Sequence, residues 1–390
     1  MRVAVVSESF LPTLNGVTTS VARLLEHLRR RGHDAMLIVP SAGAPRRYAG
    51  YAVHTVPAVP YRRFPVGLPN PRVSALLAGF DPDVVHVAAP FLLGAQAIAS
   101  ARRMGVPSVA IYQTDLPAYT RSNGLRVTER IARRAIGRIH EGADLTLAPS
   151  SSAIADLRGS GVRRLDRWGR GVDLELFHPS RATSDETATL RARLAPDGEV
   201  LVGYIGRIAP EKQVERLAEL RGIAGIRVVV VGDGPALPAV RRALRGMPVD
   251  FLGALTGPEL ANAYAALDVF VHTGIHETFG QTIQEAQASG RAVVAPAAGG
   301  PADLIDSGRN GILYRPGGGE LRDAVSSLVG DAAHRARLGE NGRRRVLTRS
   351  WDAVFDELVG HYASVRERAT AVARPGVDPA PGPQSISTSR

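Results

Sequence analysis

The chain has no cysteine and a single lysine, Lys212. The first absence excludes disulfides, thiolate metal sites and cysteine nucleophiles. The second stands out because the formal net charge of +11 is carried almost wholly by arginine. Aromatic residues make up only 5% of the chain. No basic–aromatic RNA motif, zinc-ligand spacing or helix-turn-helix pattern accompanies the charge, so nucleic acid ranks below an anionic membrane surface or plain arginine usage as its explanation. Long hydrophobic runs are also missing. The most apolar window, "VVHVAAPFLLGAQAIAS", is broken by His86, Pro90, Gly94 and Gln96 and reads as strand, loop and helix, not as a membrane span. "MRVAVVSESF" starts directly as a strand, with no basic region and apolar core, so a cytoplasmic location is the expectation.

What is present is strand–helix alternation. "RVAVVSE" is a buried-type strand, "SFLPTLNG" a loop, and "VTTSVARLLEHLRRRG" a helix with Val17, Val21, Leu24, Leu25 and Leu28 on one face. "AMLIVP" is the next strand, completing a βαβ unit of a parallel sheet. Strands at "DVVHVA", "SVAIYQ" and "LTLAPS" follow. After a polar stretch the alternation restarts with "VLVGYIG", "IRVVVVG", "VDFLG", "DVFVH" and "AVVAP". At 390 residues two domains are expected. The predicted division is 1–176 and 177–350, then a closing helix over 351–370 and a Pro/Gly/Ser-rich, disordered tail over 371–390. Two such α/β sheets bind ligands at the carboxyl ends of their strands, so the cleft between them is the expected site.

The loop after the first strand of the second half, "GRIAPEKQVERL", places Arg207 and Lys212 at an expected helix start, which suits a phosphate or diphosphate. In an arginine-rich chain, one retained lysine marks a place where a compact ammonium fits and a forked guanidinium does not. "VVVVGDGPALPAV" has Gly232 and Gly234 after a strand but Leu237 where a dinucleotide fingerprint needs a third glycine, and is read as a tight turn. "DPD" at 81–83 precedes its strand and is read as a structural turn. His272, His276 and Glu277 invite a metal, but the second histidine of a zincin pattern would fall on Gly280. No Gly-x-Ser-x-Gly elbow occurs.

In "HETFGQTIQE", Glu277 and Glu285 on one helix would lie ~12 Å apart along the axis and ~80° apart around it. That is too far for a glycosidase pair, whose carboxyls lie roughly 5 to 9.5 Å apart. The predicted layout instead has Glu277 in the loop, Glu285 one turn into a helix "QTIQEAQASG" closed by Gly290, and the N–H groups of Phe279 and Gly280 facing the same cleft. That arrangement holds one extended polar ligand at two points.

"GRIAPEK", "VGDGP", "HETFGQTIQEAQASG" and the Gly299-Gly300 pair, in this order after "GVD", resemble glycosyltransferase family 4 with its GT-B fold, the glutamates matching that family's E-x7-E motif. The resemblance runs from Arg2 to about Arg366. More narrowly, "SESFLPTLNGVTTSVARLLEHLRRRGHDAMLIVP" with "YQTD" is similar to actinobacterial GDP-mannose-dependent α-mannosyltransferases. The resemblance implies a retaining hexosyltransferase in which the closing helix crosses back to the first domain. Glu277 would hold the donor sugar's hydroxyls with the backbone of Phe279 and Gly280, and Glu285 the ribose. Arg207 and Lys212 would neutralise the departing diphosphate. Gly16 and Gly206 would complete the donor site, Gly16 by letting the backbone approach the phosphates. No metal is implied. Where many relatives carry a histidine close to the donor sugar, this chain has Gln113, which can hydrogen-bond a hydroxyl of the donor sugar or acceptor but cannot carry a proton; Asp115 is an acceptor-contact candidate.

The implied donor is GDP-mannose and the implied acceptor a lipid-linked one. A UDP-glucose or UDP-GlcNAc donor, a sugar-nucleotide 2-epimerase and a two-lobed binding protein without catalysis are the alternatives. A basic edge of Arg126, Arg130, Arg134 and Arg138 runs beside an apolar stripe of Val127, Ile131, Ala135 and Ile139. It suits attachment to anionic lipid, the alternative being an ordinary packed helix. The loop "YRRFPVGLP", 61–69, adds aromatic and cationic candidates.

Overall fold

The computed structural model describes the chain apart from residues 14, 41–42, 62–63, 69, 114–125 and 374–390, and at 60–61, 64–66, 126–130 and 372–373 describes the backbone alone. Asp115 lies outside the described residues, as do most of the expected tail and the side chains of Arg126, Val127 and Arg130.

The first sheet contains β1 (Arg2–Ser7), β2 (Asp34–Pro40), β3 (Arg47–Tyr48), β4 (Tyr51–Val56), β7 (Val84–Ala88), β8 (Ser108–Ile111), β9 (Leu145–Ala148) and β10 (Leu165–Arg167). Its order is β10-β9-β8-β7-β1-β2-β4-β3, parallel except for β3 against β4. The central strands are almost wholly apolar because helices cover both faces. The Gly16–Arg30 helix lays Val21, Leu24, Leu25 and Leu28 on the sheet. It begins where Asn15 accepts from the N–H groups of Val17 and Thr18, both at 3.0 Å.

The second sheet contains β11 (Val200–Ile205), β12 (Ile226–Val231), β13 (Val249–Gly253), β14 (Val269–Val271), β15 (Ala292–Pro296) and β16 (Ile312–Tyr314). It is parallel throughout, in the order β13-β12-β11-β14-β15-β16. The strand order reverses at β11, so the loops after β11 and β14 diverge and leave a crevice between them. β1, between β2 and β7, is the matching point of the first sheet.

The closing helix, Trp351–Ala373, packs Val354, Phe355, Leu358, Tyr362 and Val365 into the core of the first sheet. His27, fully buried on the first helix, lies 2.9 Å from Asp352 and 3.0 Å from Asp356 of the closing helix. The indole of Trp168 donates to Val354 O at 2.9 Å, and Tyr362 Oη and His86 Nδ1 are 2.7 Å apart.

Three local expectations change. "APEKQVERL" forms two 3-10 segments, Pro210–Lys212 and Val214–Leu220, in place of the α-helix expected after β11. Gln213, at φ +50°, separates them and stops helical hydrogen bonding from propagating. Where "YRRFPVGLP" was expected to be a loop, β6 (Phe64–Gly67) lies within it and pairs antiparallel with β5 (Ala58–Tyr61), which ends at its first residue. Pro60 and Pro65 face each other there, which an isolated two-stranded ribbon tolerates because both strands are edges. Finally, β3, β4, β10 and β16 lacked a signal strong enough to be read in advance.

Candidate active site

A cavity of about 480 Å³ lies between the first turns of the Gly16–Arg30 helix and the loops after β11 and β14. The crossing segment that joins the two sheets, near Arg170, forms its floor.

The loop after β14 ends at Gly280, φ +105°, which opens the Gln281–Ala288 helix. The helix closes at Ser289 and Gly290, as the sequence predicts. Gly299 and Gly300 hold this loop from behind. A Cβ at Gly299 would lie 2.5 Å from Glu277 O, and one at Gly300 would lie 2.2 Å from Phe279 O. The Gly300 N–H donates to Glu277 O at 2.7 Å. The close approach of these backbones is what requires glycine at both positions.

Glu277, fixed in this way, forms an ion pair with Lys212, and His272 Nε2 lies 3.7 Å from the same carboxylate oxygen. Burial alone would raise the Glu277 pKa, but Lys212, His272 and the Phe279 N–H outweigh it and hold the carboxyl below its usual range. Burial pushes His272 down to about 4, so its imidazole is neutral near pH 7. Lys212 is positioned by Thr273, whose hydroxyl donates to Lys212 O at 2.7 Å.

Glu285, on the helix, faces the same cavity and accepts from Tyr264 Oη at 2.9 Å. Burial raises its pKa to about 7, against the opposing influence of Tyr264, Gln281 and Arg170. On the β11 side, Gly206 adopts φ +151° and Arg207, largely exposed, pairs with Glu211. Gly232 and Gly234 give the loop room: a Cβ at either would lie 2.0 Å from Gly206 O or 2.2 Å from Ile208 O. Packing thus explains the glycines of "VGDGP".

The structure therefore brings Gly16, Gly206, Arg207, Lys212, Glu277 and Glu285 to one cavity. Gly280 enters through its backbone at the start of the helix. The Phe279 ring is buried in the second sheet's core, so Phe279 reaches the site only through its backbone N–H, which donates to the Glu277 carboxylate. Gln113 stands apart: its buried Oε1 has no partner among the described residues, and it lines a separate small cavity with Ala89, Pro90 and His140. His276 is exposed while His272 is buried, so they do not form a pair. Among the described residues no group of three His, Cys, Asp or Glu could hold a metal. Asp83 accepts from the Arg2 N–H at 2.8 Å, at the opposite end of the first sheet. Among the described residues no helix is long and apolar enough to cross a membrane.

Sequence reasoning left much of the cavity wall unassigned, including Thr19, Arg23, Arg170, Asp173, Tyr204 and Trp351. His272 was weighed only as a metal ligand. Arg170 was passed over within "GRGVD". Its Nη2 donates to Gly16 O at 2.7 Å, and an added Cβ at Gly16 would meet Arg170 Nη1 at 2.8 Å.

Two Rossmann-like parallel-sheet units, with a cationic and carboxylate-lined cavity at the carboxyl ends of their strands, define the GT-B class of glycosyltransferases. The chain belongs to glycosyltransferase family 4. The family description "Glycosyltransferase Family 4" matches residues 14–176, and "Glycosyl transferases group 1" matches 199–331. A Mycobacterium tuberculosis protein named GDP-mannose-dependent alpha-mannosyltransferase is 48% identical over 384 residues, 96% of this chain and 99% of its own. A Mycolicibacterium smegmatis protein of the same name is 48% identical over 94% of this chain and 98% of its own. Among solved structures, sucrose-phosphate synthase from Thermosynechococcus elongatus superposes with a TM-score of 0.75 at 21% identity, over 94% of this chain and 99% of its own. At that identity the likeness concerns the fold alone.

Proposed function

We propose that this protein transfers mannose from GDP-mannose, with retention of configuration, to a lipid-linked or glycolipid acceptor. The observation that carries the donor is the 48% identity, over 96% of the chain, to a protein named for GDP-mannose dependence. The cavity supports it chemically, because it combines cations for a diphosphate with two carboxylates for hydroxyls.

In this reading Glu285 accepts from the ribose hydroxyls and Glu277 from those of the sugar, with the Phe279 and Gly280 backbone beside it. Arg207 and Lys212 stabilise the diphosphate as negative charge develops on it. Gly206 and Gly16 leave their backbones accessible from the two sides. The acceptor oxygen bonds to the anomeric carbon as the bond from that carbon to the β-phosphate oxygen breaks. The leaving phosphate takes the acceptor proton, and GDP departs. No step needs a metal, because the two cations carry out its charge-stabilising work. Gln113 is a candidate for hydrogen-bonding a hydroxyl of the donor sugar or of the acceptor, and Asp115 for contacting the acceptor. The domains proposed for this chemistry are 1–176 on the acceptor side and 177–350 on the donor side.

A membrane-borne acceptor is supported by the Arg126–Glu141 helix. Ile136 and His140 face inward, while Ile131 is 64% exposed, with Ala135, Arg134 and Arg138 also outward. An apolar residue left in solvent beside a basic edge suits an anionic lipid surface, at the inner face of the membrane.

The test is transfer of radiolabel from GDP-mannose, and separately from UDP-glucose, into an organic-extractable product with a membrane lipid extract as acceptor. Label from GDP-mannose that disappears in Glu277→Ala is the expected result; label from UDP-glucose alone would replace the donor. Co-sedimentation with anionic but not neutral vesicles at low salt tests the surface, and equal recovery with both would remove it.

A further inference from the structure

Among the described residues four cationic side chains line the cavity: Arg23, Arg170, Arg207 and Lys212. Three are already committed to carboxylates, Arg23 to Asp173 at 3.3 Å, Arg207 to Glu211 and Lys212 to Glu277. Arg170 is different. Among the described residues no carboxylate lies within ion-pair distance of it, and its hydrogen bond to Gly16 O is made to a neutral carbonyl. Its Nε is buried without a partner among those residues. Glu277 and Glu285 influence it only at longer range. A guanidinium carries five N–H donors, and leaving most of them unmade in a partly desolvated wall is unfavourable unless an anion completes the set.

The surrounding backbone aims this side chain. Arg170 stands between two glycines that have no room to move. A Cβ at Gly169 would lie 3.1 Å from the Phe279 ring, and one at Gly171 would lie 2.5 Å from Trp351 Cα. Gly171 O accepts from Gln281 Nε2 at 3.1 Å, which ties the segment to the first turn of the Gln281–Ala288 helix. The guanidinium carbon lies 5.8 Å from the centroid of the Trp351 ring, which supports it from one side. Arg170 thus reaches the cavity from the segment that joins the two sheets, and touches the first helix as it does so.

We propose that Arg170 is a third cationic ligand of the donor's diphosphate, supplied by the crossing segment; the inference rests on the sugar-nucleotide reading above. The planar fork matches a phosphate's oxygens two at a time, which the Lys212 ammonium cannot do. Binding requires no ion pair to be broken at Arg170, whereas Lys212 must first leave Glu277. Arg170 is therefore the cation available to the diphosphate at first encounter. Gly16 acquires a second explanation: a side chain there would push the Arg170 guanidinium out of place.

The experiment is calorimetric titration of the full chain and of Arg170→Gln and Arg170→Lys with GDP, GMP, guanosine and inorganic pyrophosphate. Loss of a charge-assisted contact predicts about 10- to 100-fold weaker GDP and pyrophosphate binding in Arg170→Gln. Guanosine binding should stay unchanged, and Arg170→Lys should recover only part of the loss. An unchanged GDP affinity, or an equal loss for guanosine, would overturn the assignment. Should Arg170→Gln fail to fold, Arg170→Lys decides: full wild-type affinity for GDP would refute a forked phosphate contact. Arg170-dependent pyrophosphate binding without nucleotide binding would leave the anion site standing and remove the sugar-nucleotide reading. Gly16→Ala should weaken GDP binding in the wild type but not further in Arg170→Gln, and additive losses would count against the coupling.

Discussion

Lys212 and Glu277 neutralise each other across the cavity wall, and this gives their alanine variants opposite signatures. The side chains are 21% and 17% exposed. Removing one member of a fully buried pair costs about 3–5 kcal/mol. With this residual exposure, Lys212→Ala should lower stability by about 2 kcal/mol, because Glu277 is left desolvated without its counter-ion. GDP should bind about 10- to 100-fold more weakly through loss of a charged contact to the diphosphate. Glu277→Ala removes the group that competes with the diphosphate for Lys212, so GDP binding should be no weaker than in the wild type, while transfer is abolished. In the double variant no charge is stranded, and stability should recover relative to Lys212→Ala alone. Calorimetric titration and urea unfolding read the two quantities separately. GDP affinity falling as far in Glu277→Ala as in Lys212→Ala would refute the competition on which this reasoning depends.

Other outcomes follow from the same geometry. In the proposed reading ribose hydroxyls donate to the Glu285 carboxylate, whose pKa burial lifts to about 7. GDP affinity should therefore fall as pH drops below about 7, by at most tenfold per unit, and Glu285→Gln should flatten the profile; a wild-type profile level from pH 8 to 6 would contradict this. His86, buried and pushed down to about 3, takes up a proton on unfolding between its ordinary value near 6.5 and about 3. Its contribution is present above that window and lost as pH falls through it, by up to about 1.4 kcal/mol per unit. Urea unfolding at pH 7 and 5 should show this slope reduced in His86→Leu, and identical slopes would exclude it. Gly299→Ala adds a Cβ 2.5 Å from Glu277 O at φ +61°, so it should lose several kcal/mol of stability and most transfer; wild-type melting would show that the loop is not held as described.

The fold was legible because its signal is local. Apolar strands such as "VAVVS" and "RVVVV" and the stripe Val21, Leu24, Leu25, Leu28 each announce themselves within one element. The Gln281–Ala288 helix was equally clear, since Gly280 and Gly290 bracket it. By contrast, Lys212 was expected on an α-helix and lies at the end of a 3-10 turn, because Gln213 takes a left-handed conformation that no residue-level preference of glutamine predicts. The pairing of Lys212 with Glu277 joins positions 65 apart and is a property of two loops meeting. Arg170 was invisible for a compositional reason: one arginine carries no information in a chain that uses arginine almost everywhere, whereas the lone lysine did. Its importance depends on a carbonyl 154 positions away, on the first helix. Gly299 and Gly300 were seen as a motif, but the backbone approach that requires them appears only when β15 is placed beside β14.

The most direct test of the central claim is calorimetric titration of the wild-type protein with GDP, UDP and ADP under one set of conditions. A GDP-mannose donor requires a clear preference for GDP. A preference for UDP or ADP, or no binding to any of the three, would contradict a GDP-mannose donor.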